Sequence, residues 1–103
     1  MNRQKLLIML KAVADEHRLE ILNMLKSGEL CACKFHEPLG LSQNLASHHL
    51  TTLRVSGLVK TRKVGRNVFY SLNQKNIITM QNALGIILLG GENGNKNSRA
   101  GVC

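Results

Sequence analysis

A mainly α-helical domain with one small β-hairpin is the fold class that this 103-residue sequence predicts. Three observations predict it. Hydrophobic residues make up 44% of the chain, yet aromatics make up only 3%, so the core must be aliphatic and built largely from packed helices. Apolar residues recur at helical spacing in the first segment, the second, the stretch Leu41 to Arg54 and the last. After Gly57 the period changes. Two β-prone runs, Leu58 to Val64 and Val68 to Leu72, flank Gly65-Arg66-Asn67, which reads as a hairpin turn.

In chain order, Arg3 to Val13 places Leu6, Leu7, Leu10 and Val13 on one side of an amphipathic helix. Asp15 caps a second helix, Glu16 to Lys26, whose Leu19, Ile21, Leu22 and Leu25 face a core, and Gly28 ends it. A third, shorter helix is expected from about Leu30 to Glu37, stopped near Pro38. The turn Pro38-Leu39-Gly40-Leu41 leads into the longest polar-faced helix, for which Ser42 is the cap. Ala46, Leu50 and Leu53 form its apolar stripe, with Leu45 and His49 beside them. A short helix, a glycine-containing turn and a polar-faced helix make the helix-turn-helix pattern, and a basic hairpin straight after it reads as the wing of a winged helix-turn-helix.

A last helix runs from about Lys75 to Leu89, with Ile77, Met80, Leu84 and Ile87 at helical spacing. Ile78, Ala83, Ile86, Leu88 and Leu89 add apolar surface around the rest of it, more than one small core can cover, so a homodimer is expected. Residues 1–90 therefore read as one DNA-binding and dimerisation domain. Residues 91–103, GENGNKNSRAGVC, are Gly- and Asn-rich without apolar spacing and read as a flexible tail.

Charge points to the partner. The formal net charge is +8, and no Asp or Glu occurs from Pro38 to Gly91, while Asp15, Glu16, Glu20, Glu29 and Glu37 crowd the first third. Such segregation sets a positive field around one half of the molecule and suits a polyanion, here double-stranded DNA. Gln43, Asn44, Ser47, His48 and Thr51 make an outward face rich in donors and acceptors, suited to base edges in a major groove. Arg54 and the hairpin residues Lys60, Arg62, Lys63 and Arg66 would hold phosphates, adding salt-dependent affinity. The sequence shows no secretory signal pattern, and its longest apolar run, Ile86 to Leu89, is far too short for a membrane span. Three cysteines cannot all pair internally, which places the chain in a reducing cytoplasm. Catalysis is not expected. There is no glycine-rich cofactor loop after a strand and no paired catalytic carboxylates, and His48 and His49 beside Ser47 diverge on a helix.

The texts LKAVADEHRLEIL, GELCAC, LGLSQNLASHHLTTLRVSGLV and RKVGRNVFYSLN, running in order from Leu10 to Asn73, resemble the ArsR/SmtB family of metal-sensing repressors. The resemblance implies a homodimeric winged helix, joined through its first and last helices, that leaves its operator DNA when an effector binds. Many members carry ELCVCD, whose two cysteines bind arsenite, antimonite, cadmium or lead. The matching residues here are Glu29-Leu30-Cys31-Ala32-Cys33-Lys34, which assigns Cys31 and Cys33 the ligand role. Lys34 stands where relatives have Asp, and a nearby cation favours thiolate.

Thiolates prefer soft, thiophilic centres. On an ideal helix, however, residues i and i+2 point about 200° apart, so chelation by both requires the first turn to be irregular or to unwind. Cys103 and His36 are the candidates for a third ligand. Arsenite or antimonite is expected ahead of cadmium or lead, because carboxylates and extra N-terminal thiols are lacking. Family members that sense zinc, cobalt or nickel use Asp, His and Glu on the last helix. Residues 73–91 contain none of these, and Gln74 and Asn76 stand where such ligands would begin. The alternatives are a cysteine redox trigger on the same DNA-binding fold, and a non-catalytic winged-helix module of a larger system.

Overall fold

A computed structural model describes residues 1–90. Its elements are α1 (Arg3–Val13), α2 (Glu16–Leu25), β1 (Leu30–Cys31), a 3-10 turn (Ala32–Lys34), α3 (His36–Leu39), α4 (Gln43–Ser56), β2 (Val59–Val64), β3 (Asn67–Leu72) and α5 (Gln74–Leu89). This is the mainly helical domain with a small hairpin that the sequence predicts.

Local chemistry sets the helix starts. Asn2, Asp15, Ser42 and Asn73 each accept a hydrogen bond from the N–H three residues on, at 2.8, 3.0, 3.1 and 3.2 Å. The end of α4 is equally specified. Gly57 takes a left-handed φ of +89°, the Gly57 N–H donates to the Arg54 carbonyl, and the Leu58 N–H donates to that of Leu53. Leu53 and Leu58 are both fully buried, completing a Schellman cap with its apolar contact. Asn76 of α5 donates to the Gly57 carbonyl at 2.9 Å, so the end of α4 is tied to the start of α5.

The core gathers Ile21 and Leu25 of α2, Leu50 and Leu53 of α4, Leu58, Phe35 and Tyr70. Phe35 meets Tyr70 edge-to-face at 6.3 Å. Arg18 fastens three helices at one point. Its Nε donates to the Ala12 carbonyl at 2.6 Å, and its Nη1 lies 3.1 Å from Nδ1 of His49 on α4. The strands form one antiparallel sheet in the order β1-β3-β2. At the hairpin tip Val64 pairs with Asn67, so Gly65, with φ +61°, and Arg66 form a two-residue turn.

Five expectations are corrected. The third helix does not run from Leu30 to Glu37: Leu30 and Cys31 are extended and pair with Tyr70 and Phe69, a 3-10 turn follows, and α3 begins only at His36. Pro38 does not stop that helix but sits in its first turn, where a missing N–H leaves no bond unmade. The buried stripe of α1 is Leu6, Met9 and Ala12, with Leu7 exposed, because α4 packs on the Met9 side. Leu19 and Leu45, expected to be inward, lie exposed at the margins of their helices. The strand limits also shift by one residue, Leu58 preceding β2 and Asn67 opening β3.

The most apolar helix is not part of the buried core. No residue of α5 is buried, and Ile78, Ile86, Ile87, Leu88 and Leu89 are all exposed, although Ile77 and Met80 touch the core. Among the described residues no helix is long and apolar enough to cross a membrane.

Candidate functional site

Three surfaces built by these elements bear on function. The first is the outward side of α4. Gln43, Asn44, Ser47, His48, Thr51 and Arg54 are all exposed, within an arc of about 140° at 100° per residue. Ala46, His49, Leu50, Leu53 and Ser56 hold the opposite side in the core. The reading face expected from the sequence is thus presented on a helix pinned at both ends.

His49 belongs to that pinning. Burial pushes its imidazole below the usual histidine range, opposed by the nearby Asp15 carboxylate. The Arg18 guanidinium can only donate, so Nδ1 of His49 accepts and the ring is neutral. Asp15, His17 and His49 bring potential ligand atoms within 4.8 Å of one another. Arg18 already meets His49 there, and Asp15 accepts the Arg18 N–H, so the cluster is a polar tie between helices. No sequence period marks it, since Arg18 and His49 lie on separate helices.

The second surface is the wing. Lys60, Lys63 and Arg66 are exposed, and no carboxylate pairs with them among the described residues. Arg62 is placed differently. Its Nε and Nη2 donate to both carboxylate oxygens of Glu29, at 3.1 and 2.7 Å, and its guanidinium lies 5.3 Å from the centre of the Phe69 ring. The pair holds the Glu29 carboxyl below its ordinary range.

The third surface is the thiol pair. Cys31 ends β1 in extended conformation, with φ −67° and ψ 145°, and Cys33 lies in the exposed 3-10 turn. The two sulfurs are 3.1 Å apart. The irregularity needed for joint chelation is therefore present without unwinding a helix. The Cys33 backbone N–H and thiol both donate to Cys31 and lower its pKa, with Lys34 adding to the effect, while the same contact raises that of Cys33. Cys31 is accordingly the readier thiolate.

His36 does not join the two sulfurs as a three-ligand group among the described residues. Its Nε2 lies 3.5 Å from Nε2 of Gln43 on α4. Cys33, His36, Gln43 and Ser47 share the wall of one cleft of about 200 Å³, with Tyr70 and Leu50 at its base. Cys103, the other candidate ligand, lies outside the described residues.

Comparison with known proteins agrees with this architecture. Residues 15–61 match the family described as "Bacterial regulatory protein, arsR family". The chain is 38% identical over 104 residues to the arsenical resistance operon repressor of Staphylococcus xylosus, covering 100% of both chains. It is 44% identical over 79 residues to the transcriptional activator HlyU of Vibrio cholerae, covering 77% of this chain and 73% of that one. Among solved structures, HlyU from Vibrio cholerae superposes with a TM-score of 0.68 at 40% identity, over 85% of this chain and 98% of that chain. With full-length similarity, the helix-turn-helix match and the wing in place, the chain belongs to the arsR family of bacterial regulatory proteins, which are DNA-binding transcriptional regulators and not enzymes.

Proposed function

We propose that this protein is a dimeric cytoplasmic repressor that leaves its operator when arsenite or antimonite bridges Cys31 and Cys33. The observation that carries this reading is the pair of free sulfurs 3.1 Å apart, on a segment sharing a cleft with Gln43 and Ser47 of the reading helix. With bonds of about 2.3 Å, sulfurs at that separation subtend roughly 85° at a shared centre. A pyramidal trivalent arsenic or antimony bonds through nearly orthogonal p orbitals and takes angles close to this. A tetrahedral cation such as cadmium needs a wider spread, roughly 3.8 Å even with 2.3 Å bonds.

In this reading α4 places Gln43, Asn44, Ser47, His48 and Thr51 in the major groove. Arg54 and the wing hold phosphates through Lys60, Lys63 and Arg66, while Arg62 stays paired with Glu29. Each arsenic–sulfur bond replaces an arsenic–hydroxyl bond, the hydroxyl leaving with the thiol proton as water; replacing the thiol–thiol contact by a shared arsenic shifts the 3-10 turn, and the shift reaches Gln43 through His36. The exposed apolar face of α5, with Leu7 and Ile8 of α1 beside it, is the dimer surface, and it sets two reading helices for a two-fold operator. That the Staphylococcus xylosus relative is named an arsenical resistance operon repressor supports the choice of effector.

The test is operator release by arsenite in wild type and in Cys31→Ser, Cys33→Ser, Cys103→Ser and His36→Ala variants. Wild type should release its operator, and the first two variants should not respond. The last two identify the third ligand. An operator complex that survives saturating arsenite would contradict the reading. The contacting sulfurs also favour a second trigger, oxidation by a peroxide to a disulfide, in which the two thiols lose two electrons and two protons to the oxidant. A parallel peroxide titration separates the two.

A further inference from the structure

Cys31 of the thiol pair and the wing belong to one three-stranded sheet, and the contact across its outer face has no part in either site as described so far. β1 contributes only two residues, paired as Leu30↔Tyr70 and Cys31↔Phe69. The next strand over pairs Phe69 with Arg62. Cys31, Phe69 and Arg62 therefore stand in one cross-strand row, on the opposite side from Leu30, Tyr70 and Thr61. β1 and β2 never pair with each other, because β3 lies between them. The Arg62 side chain spans the gap, crossing the Phe69 ring at 5.3 Å and donating two hydrogen bonds to Glu29, two residues before Cys31.

We propose that Glu29 is a positioning residue of the switch: by gripping Arg62 across β3 it ties the wing to the cysteine strand, so that ligation at Cys31 and Cys33 also reaches the DNA-anchoring hairpin. The proposal rests on the thiol-trigger reading above. Three features favour a coupling role over an incidental surface pair. The pair is bidentate, a geometry that fixes orientation as well as distance. Arg62 is the wing cation that has a carboxylate partner among the described residues, while Lys60, Lys63 and Arg66 are left to the solvent or to phosphates. And a two-residue edge strand has little else joining it to β2, so a movement of Cys31 is shared with whatever Glu29 holds. Exposed ion pairs contribute little to stability. The effect of this one belongs in the coupling between effector and DNA rather than in the melting temperature.

The test uses the full chain with Glu29→Gln, Arg62→Gln and the charge swap Glu29→Arg/Arg62→Glu. Amide hydrogen exchange of the free protein is read at Leu30, Cys31 and residues 62–64. Operator affinity is read with and without arsenite, while near-ultraviolet absorption reports arsenic bound at the thiols. Both single variants should exchange faster in β1 and β2. Both should lose about five-fold or more of the arsenite-induced change in affinity at unchanged absorption, and the swap should restore both readouts. Wild-type exchange in the single variants, or a wild-type affinity change at full absorption, would overturn the proposal. Absence of the absorption in wild type would instead defeat the thiol-trigger reading, and the exchange measurement would then decide the clasp alone.

Discussion

The two longest helices use their apolar residues in opposite ways. α4 is polar on one side and buries Ala46, His49, Leu50, Leu53 and Ser56 on the other, so it is satisfied within its own chain. α5 is richer in Ile and Leu yet has no fully buried residue, and its last turn exposes Ile86, Ile87, Leu88 and Leu89. Hydrophobicity alone does not reveal a core. What matters is whether neighbouring elements cover the stripe, and α5 rests on the domain only through its first turns. α4 is anchored within its own chain with its polar side outward; the last turns of α5 are left uncovered.

The most direct way to break this contrast is to weaken each helix where it is said to be held. Leu53→Ala removes a fully buried side chain beneath the reading face and should cost roughly 2–5 kcal/mol of unfolding free energy in denaturant titrations. Ile87→Glu on α5 should leave the folded monomer intact, measured by circular dichroism, while sedimentation shows dimer lost at concentrations where wild type is dimeric. If that variant unfolds as well, α5 is a core helix and the contrast fails. On the polar side of α4, Ser47→Ala or Gln43→Ala should cost about 1–3 kcal/mol of discrimination between operator and mismatched DNA, provided the residue meets a base. Lys63→Gln on the wing should weaken all sequences alike and reduce the salt slope by about 0.9.

The smallest expected effect concerns the anchoring of α4 through pH. His49 is held neutral by burial, with its pKa below the ordinary value, so between that lowered pKa and about 6.5 the unfolded chain binds the extra proton. The stability it contributes is complete above about pH 6.5 and is lost as pH falls through the folded pKa. His49→Gln keeps an acceptor for Arg18 and should flatten that part of the stability profile. An unchanged profile would mean that His49 does not titrate with folding.

Elements whose signals are local were legible in the sequence. Asp15 and Ser42 cap where a side-chain oxygen precedes an apolar period, Gly57 closes α4, and Gly65-Arg66 turns the hairpin. The outward polar face of α4 was legible for the same reason, since a polar arc opposite Ala46, Leu50 and Leu53 needs only the helical period. Residues 30–39 were not. Leu30 and Cys31 become a strand because Tyr70 and Phe69 arrive from far along the chain, and no local pattern announces that pairing. An assumed helix placed the two thiols on diverging sides, whereas the extended Cys31 brings them into contact. Glu29–Arg62 was hidden likewise. Arg62 read as one more wing cation because its partner lies across the sheet.

If arsenite binding at the thiol pair and operator release are one event, titrating arsenite into the operator complex while following thiolate–arsenic absorption and DNA anisotropy together should give two coincident curves in wild type, and both should vanish in Cys31→Ser. Release of the operator by arsenite in Cys31→Ser, or absorption in wild type without release, would show that they are not one event.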